Sequence, residues 1–217
     1  MSFLLRIVLP DKPGSLGAVA TALGNAGADI LGVDVVQRGH GLAVDDLAVE
    51  LPAGRPEDVL ITAAESVPGV EVESVRHHSG RLDTHRELEL IEEITSNPAD
   101  GLRLLAEGVA RIFRAGWALV AVREDGHSFQ LAESAAAPQT RAGDLPWLPL
   151  TRAIVLNPEV HWVPEPWSGL DTELAAAPFG PGAAALVVGR PGGPAFRPSE
   201  LARLAHLAGI VTTVLAD

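Results

Sequence analysis

The sequence predicts an α+β chain made of two successive units, and three observations predict it. Residues 1–77 run through apolar and turn patterns in the order β-α-β-β-α-β. A polar, irregular stretch follows at 78–86. Residues 87–217 open on two amphipathic helical patterns and close on an apolar strand and a terminal helix, with a strand hairpin between them.

Composition sets the frame for these elements. A length of 217 residues accommodates two small domains, and 47% hydrophobic with 20% charged residues describes a well-buried globule. No apolar run approaches the roughly 18 residues of a membrane span. The start, MSFLLRIVLPDK, has too short an apolar stretch and no basic leader for a signal peptide. The absence of cysteine excludes disulfides, thiolate metal sites and cysteine nucleophiles. The expected location is cytoplasmic. A net charge of −12, shared between the two halves, argues against a nucleic-acid partner. No membrane partner, cofactor or metal is expected.

The first strand is the apolar run Leu4 to Leu9, broken by Pro10. After the loop Asp11 to Gly14, apolar residues at Leu16, Val19, Leu23 and Ala26 form one helical face. Pro13 suits the first helical position, and Gly27 the left-handed residue just past the end. Ile30 to Arg38 is a strand, Gly39-His40-Gly41 a turn, and Leu42 to Leu51 an alternating strand. In the latter, Leu47, Val49 and Leu51 share one face, and Asp46, Ala48 and Glu50 the other. Pro56, Glu57 and Asp58 open a helix with Leu60, Ala63, Ala64 and Val67 inward. Pro68 and Gly69 stop it, and Val70 to Val75 is a fourth strand. This order is the ferredoxin-like arrangement. Its other sheet face carries Leu4, Val8, Val44 and Ala48 with Arg6 and Asp46 among them, too apolar to stay wet, so pairing or packing against something is expected, and a homodimer with it.

Residues His77 to Glu87 read as a linker, in which His77, His78, Asp83 and His85 lack a metal-binding spacing. Leu88, Ile91 and Thr95 then share a helical face, beside Leu90 and Ile94. Asn97 caps the next helix, Pro98 starts it, and Leu102, Leu105, Ala106, Val109, Ile112 and Phe113 form its stripe. Trp117 to Arg123 and Ser128 to Ser134 pair across a turn at Glu124 to His127. Ala135 to Pro178 is Pro- and Ala-rich and poorly periodic, a long loop of the kind that carries function or hides short elements. Ala183 to Val188 is a strand. A last helix starts at Pro198, with Leu201, Leu204, Ala208, Val211 and Leu215 on one face.

The loop at 11–16 carries the chemistry. The first turn of a helix leaves backbone N–H groups free to bind a carboxylate, and Asp11 and Asp29 can accept hydrogen bonds from an ammonium group. A free α-amino acid asks for both. The same residues fit a capped helix whose Asp11 merely favours the dipole. Other motifs fail on context. The glycines of 24–32 follow a helix rather than open one, and Gly189 to Gly193 lacks a phosphate-binding Lys-Ser/Thr. Asp45 and Asp46 point to opposite faces of a strand, and no catalytic constellation emerges.

Asp11-Lys12-Pro13-Gly14-Ser15-Leu16, followed by Leu23-Gly24-Asn25-Ala26-Gly27-Ala28-Asp29-Ile30, resembles the ACT domain, an amino-acid-sensing regulatory module, over residues 1 to about 77. The resemblance implies a ligand site drawing on Asp11, Lys12, Pro13, Gly14, Ser15 and Leu16 from one protomer and Asn25, Asp29 and Ile30, in part from another. Many members carry Asn where Asp29 stands. The second half, with its two opening helices and its ending AALVVGRPGGPAFRPSELARLAHLAGIVTTVL, resembles a GAF domain, a sensory α/β module. The resemblance to that module is that of a central antiparallel sheet between these ends; the long loop itself, with its tryptophans, is the candidate for a second pocket, at Trp147, His161, Trp162 and Trp167. The function expected is a non-catalytic regulator that binds a free amino acid, its GAF-like half taking a second ligand or mediating association. The alternative is an orphan enzyme with its active site in the Trp-rich loop under ACT control.

Overall fold

A computed structural model describes residues 1–77, 86–139 and 145–216. The chain divides into two compact units, Met1–Asp83 and Thr84–Asp217, each with its own hydrophobic core.

The first unit comprises β1 (Ser2–Pro10), α1 (Ser15–Asn25), β2 (Asp29–Gly39), β3 (Leu42–Glu50), α2 (Asp58–Glu65) and β4 (Glu71–His77). Its antiparallel sheet has the order β2-β3-β1-β4, so β2 is an edge strand. One sheet face holds the row Phe3, Leu5, Ile7 and Leu9 of β1 beside Leu47 and Val49 of β3. On it pack Val19 and Leu23 of α1 and Leu60 and Ala64 of α2. Helical spacing of apolar residues against a two-residue strand period is what places these side chains in one core.

Three expectations for this unit change. The helix α1 begins at Ser15, not Pro13: Gly14 is its N-cap, at φ 91°, a left-handed conformation open to glycine. The start of α2 likewise lies at Asp58, two residues past Pro56. The sheet face with Leu4, Arg6, Val44, Asp46 and Ala48 is covered, as its apolar character demands, but these residues are already buried within the chain and leave no surface there for a second protomer. Arg6 and Asp46 face each other in the β1–β3 register and form a two-pronged ion pair, Nε to Oδ1 at 2.7 Å and Nη2 to Oδ2 at 2.8 Å. Exposed apolar side chains lie instead on β2, at Leu31, Val33 and Val35.

Gly27, at φ 82°, ends α1 as expected, with the Ala28 amide reaching the Leu23 carbonyl and the Gly27 amide the Gly24 carbonyl. His77 belongs to β4 and stacks on Phe3, with ring centroids 4.8 Å apart, so it is not part of a linker. His78, Asp83 and His85 lie outside the described residues.

The second unit contains α3 (Arg86–Ser96), α4 (Gly101–Ile112), β5 (Trp117–Glu124), β6 (His127–Glu133), β7 (Ile154–Val155), α5 (Glu165–Ser168), β8 (Glu173–Pro178), β9 (Ala184–Arg190) and α6 (Pro198–Ala216). Its antiparallel sheet has the order β6-β5-β9-β8-β7. Leu105 and Val109 of α4, Ile94 of α3 and Leu204, Leu207 and Val211 of α6 cover one face. The other is covered by Leu145, Leu148, Leu156, Val163 and Trp167, from the segment expected to be a long loop.

That segment hides β8, whose ELAAAP carries no alternation to read. Arg86, expected in the linker, starts α3, and Leu90 and Ile94 are its buried residues while Leu88 is exposed. Leu104 and Leu207 join the expected stripes of α4 and α6, both of which are broader than one row.

At the junction of these elements, Arg190 donates to the carbonyls of Phe113 and Pro194 and to Glu200, its guanidinium lying 4.0 Å from the Phe196 ring centroid. Glu200 also accepts from the Arg197 amide, closing the first turn of α6. Among the described residues, no helix is long and apolar enough to cross a membrane, and no group of three acidic, His or Cys side chains is placed to hold a metal.

Candidate functional site

The site is built where β1 hands over to α1. Pro10 ends the strand, and the Asp11 amide donates to the Gly41 carbonyl, which pins the loop to the β2–β3 turn. The left-handed Gly14 then turns the chain into α1. The Ser15 amide reaches the Lys12 carbonyl and the Ala18 amide the Gly14 carbonyl. Between them, the amides of Leu16 and Gly17 are first-turn donors that the helix does not itself satisfy.

Asp11 is not free to take an ammonium group in this arrangement. Nε of Arg38 lies 3.1 Å from both its carboxylate oxygens, and Nη2 donates to Oδ1. The Arg38 side chain is two-thirds exposed. Asp11 in turn raises the Arg38 guanidinium above its ordinary pKa, by hydrogen bond first and charge second.

Beneath this pair is a residue that sequence reasoning missed as a site residue. Asp45 stands opposite Ile7 of β1 and Val35 of β2, on the sheet face that α1 covers. It is 3% exposed, and its Oδ1 has no hydrogen-bond partner. Burial pushes its carboxyl pKa up. Arg38 opposes the rise, and Asp46, Asp11 and Asp34 add to it. Ser15, the first residue of the buried α1 face, has an Oγ that is likewise buried without a partner. The signal was present in the sequence: in Ala43, Asp45, Leu47, Val49 and Leu51, a core-facing row is interrupted by one carboxylate.

The remaining expected ligand residues divide in space. Asp11, Lys12, Pro13, Gly14, Ser15 and Leu16 stay together at the α1 start. Asn25, Asp29 and Ile30 lie at its far end, where Asp29 pairs in register with Glu50 while Pro10 pairs with Leu42. Asp11 and Asp29 of one chain therefore stand at opposite ends of the sheet.

In the second unit, the four residues of the candidate pocket belong to one covering segment with different roles. Trp167 is 1% exposed and packs on Trp117, with centroids 6.0 Å apart. The Trp147 indole donates to the Trp162 carbonyl, and Nδ1 of His161 accepts from the Asn157 amide. The Trp162 side chain is exposed. A separate cleft of about 790 Å³ opens among Pro98, Leu102, Leu131, Phe179, Thr212 and Leu215, and none of those four residues lines it.

With this geometry in hand, comparison with known proteins locates the fold. No protein-family model matches the chain. Over 113 residues, 52% of this chain, it is 28% identical to an NAD-dependent malic enzyme of Geobacillus stearothermophilus. The match spans 24% of that enzyme, about a quarter of its length. The structure is similar to a free methionine-R-sulfoxide reductase from Neisseria meningitidis, with a TM-score of 0.51 and 14% identity, over 65% of this chain and 95% of that one. It is also similar to the GAF domain of an Acinetobacter phosphoenolpyruvate-protein phosphotransferase, with a TM-score of 0.49 and 14% identity, over 64% and 95% of the two chains. At such identity the likeness is one of fold and carries no ligand with it.

Proposed function

We propose that this chain is a non-catalytic regulatory protein that binds a free amino acid at the α1 start of its first unit, in the manner its ACT resemblance implies. The GAF-like unit takes a second ligand or mediates association. The observation that supports this most is the loop at 11–16. A left-handed glycine presents first-turn amides beside the Asp11–Arg38 pair, so donors for a ligand carboxylate gather within a few residues. The partner surface proposed for a homodimer is the edge strand β2, with Leu31, Val33 and Val35 exposed along it. A second protomer would bring its own Asn25, Asp29 and Ile30 within reach of the loop, which one chain does not do.

The test is calorimetric titration of the whole chain with each of the twenty amino acids, with the mass of the particle followed by ultracentrifugation. The expected outcome is saturable binding of one chemical subset and a dimer mass at micromolar concentration. Absence of binding by every amino acid at millimolar concentration refutes the sensing role. A monomer mass with and without ligand refutes the shared site.

A further inference from the structure

A buried carboxylate normally finds a hydrogen-bond donor, because leaving it without one forfeits its hydration and gains nothing in exchange. Asp45 is at once deeply buried and short of a partner at Oδ1. Its neighbours in register are Ile7 and Val35, which offer no donor side chain. The Ser15 hydroxyl, on the buried face of α1 that packs over the same side of the sheet, has an oxygen in the same condition. Two unsatisfied oxygens on the side of the sheet that α1 covers ask for a group that donates several hydrogens and carries positive charge.

The ion pair whose charges reach Asp45 is lightly held. The Asp11–Arg38 pair that ties the loop to β2 has a two-thirds exposed arginine and a quarter-exposed carboxylate, and an exposed pair of this kind adds little net stability. A ligand with a carboxylate and an ammonium can exchange with it without changing the charge of the site. Arg38 then trades one carboxylate for another, in the planar geometry a guanidinium favours.

We infer that the Asp11–Arg38 pair is the closed form of a zwitterion site. An α-amino acid opens it, with its carboxylate taken by Arg38 and the Leu16 and Gly17 amides, and its ammonium by Asp45 and the Ser15 Oγ. This deepens the proposed function and rests on it: the sensing loop is the same, while the ammonium acceptor moves from Asp11 to Asp45. Three features support the assignment. They are the missing partner of Asp45, the missing partner of Ser15, and the engagement of Asp11 by Arg38.

The experiment takes the amino acid that binds the whole chain best and compares it with two truncated probes, its deamino acid and its decarboxylated amine. The proteins are wild type, Asp45→Asn, Asp11→Asn and Arg38→Gln. Wild type should prefer the amino acid to the deamino acid by roughly ten- to a hundredfold, the worth of one charge-assisted hydrogen bond. In Asp45→Asn that preference should collapse towards equality, while affinity for the deamino acid is unchanged. Arg38→Gln should instead lose the preference over the amine and keep that over the deamino acid. A merely structural role for Asp45 would weaken all three ligands together, and melting temperature checks that the variant is folded. If Asp45→Asn keeps the wild-type preference and Asp11→Asn loses it, this inference is wrong and the sensing role stands. If wild type binds no amino acid, both fall.

Discussion

Breaking the Arg6–Asp46 pair from one side should cost the first unit a large share of its stability. Both side chains are buried, at 1% and 0% exposure, and meet through two parallel hydrogen bonds of 2.7 and 2.8 Å between the paired strands β1 and β3. Asp46→Ala removes a buried carboxylate that Arg6 holds through two hydrogen bonds, a change that costs about 3–5 kcal/mol. A domain of this size has a total stability on the order of 4–12 kcal/mol. A loss of 3 kcal/mol lowers the melting midpoint by roughly 12–24 °C. The assay can separate the units, because all four tryptophans, Trp117, Trp147, Trp162 and Trp167, lie in the second. Urea unfolding followed by circular dichroism senses both units, and tryptophan fluorescence senses the second. The expected result is an early dichroism transition with no matching change in fluorescence. The double variant Arg6→Met/Asp46→Leu should return to within about 1 kcal/mol of wild type, since an apolar pair removes both desolvation costs at once. If the single variant loses less than about 1 kcal/mol, or the double is no better than the single, the account of this pair is wrong.

Further outcomes follow from other residues. Asp45 holds its proton more tightly in the folded chain than in the unfolded one, so wild-type stability falls as pH rises through the raised pKa and stays lower at neutral pH. Asp45→Asn should match wild type in acid and exceed it progressively above the ordinary carboxylate range. An advantage that is flat or shrinks with pH, in paired denaturation curves, would contradict this. Gly189→Ala should destabilise the second unit by about 1–3 kcal/mol, because a Cβ there would lie 2.1 Å from the Trp117 indole, and fluorescence should report the loss. Val33→Lys with Val35→Lys should yield a monomer by ultracentrifugation without lowering the melting temperature, since both side chains are exposed. A dimer that survives both charges places the contact elsewhere.

Much of the first unit was legible because its signals are local. The α1 stripe, Gly27 as its stop and the order of the elements all follow from spacing and from punctuation by Pro and Gly. The second unit was less so. Alanine-rich β8 is buried on both faces, and a strand without a polar face has no period to detect. The candidate site was half legible. Loop composition announced Asp11 and Gly14, but only three-dimensional register brings Arg38 across to Asp11 and buries Asp45 beneath them. The face around Leu4 and Ala48 shows the same limit: alternation reports that its residues share a face and need cover, not what covers it.

The place of β9 in its sheet has a consequence for how the second unit comes into being. It is the last strand to leave the ribosome and the middle one in space, hydrogen-bonded to β5 on one side and β8 on the other. Until it arrives, the β5–β6 hairpin and the β7–β8 pair have no common frame, and the apolar edges of β5 and β8 stay unpaired. Closing the sheet then joins residues such as Trp117 and Gly189 across a long loop, the kind of distant pairing that makes folding slow. All seven residues of β9, AALVVGR, are buried once in place, so the nascent chain exposes an adhesive segment for just the interval in which its partners wait for it.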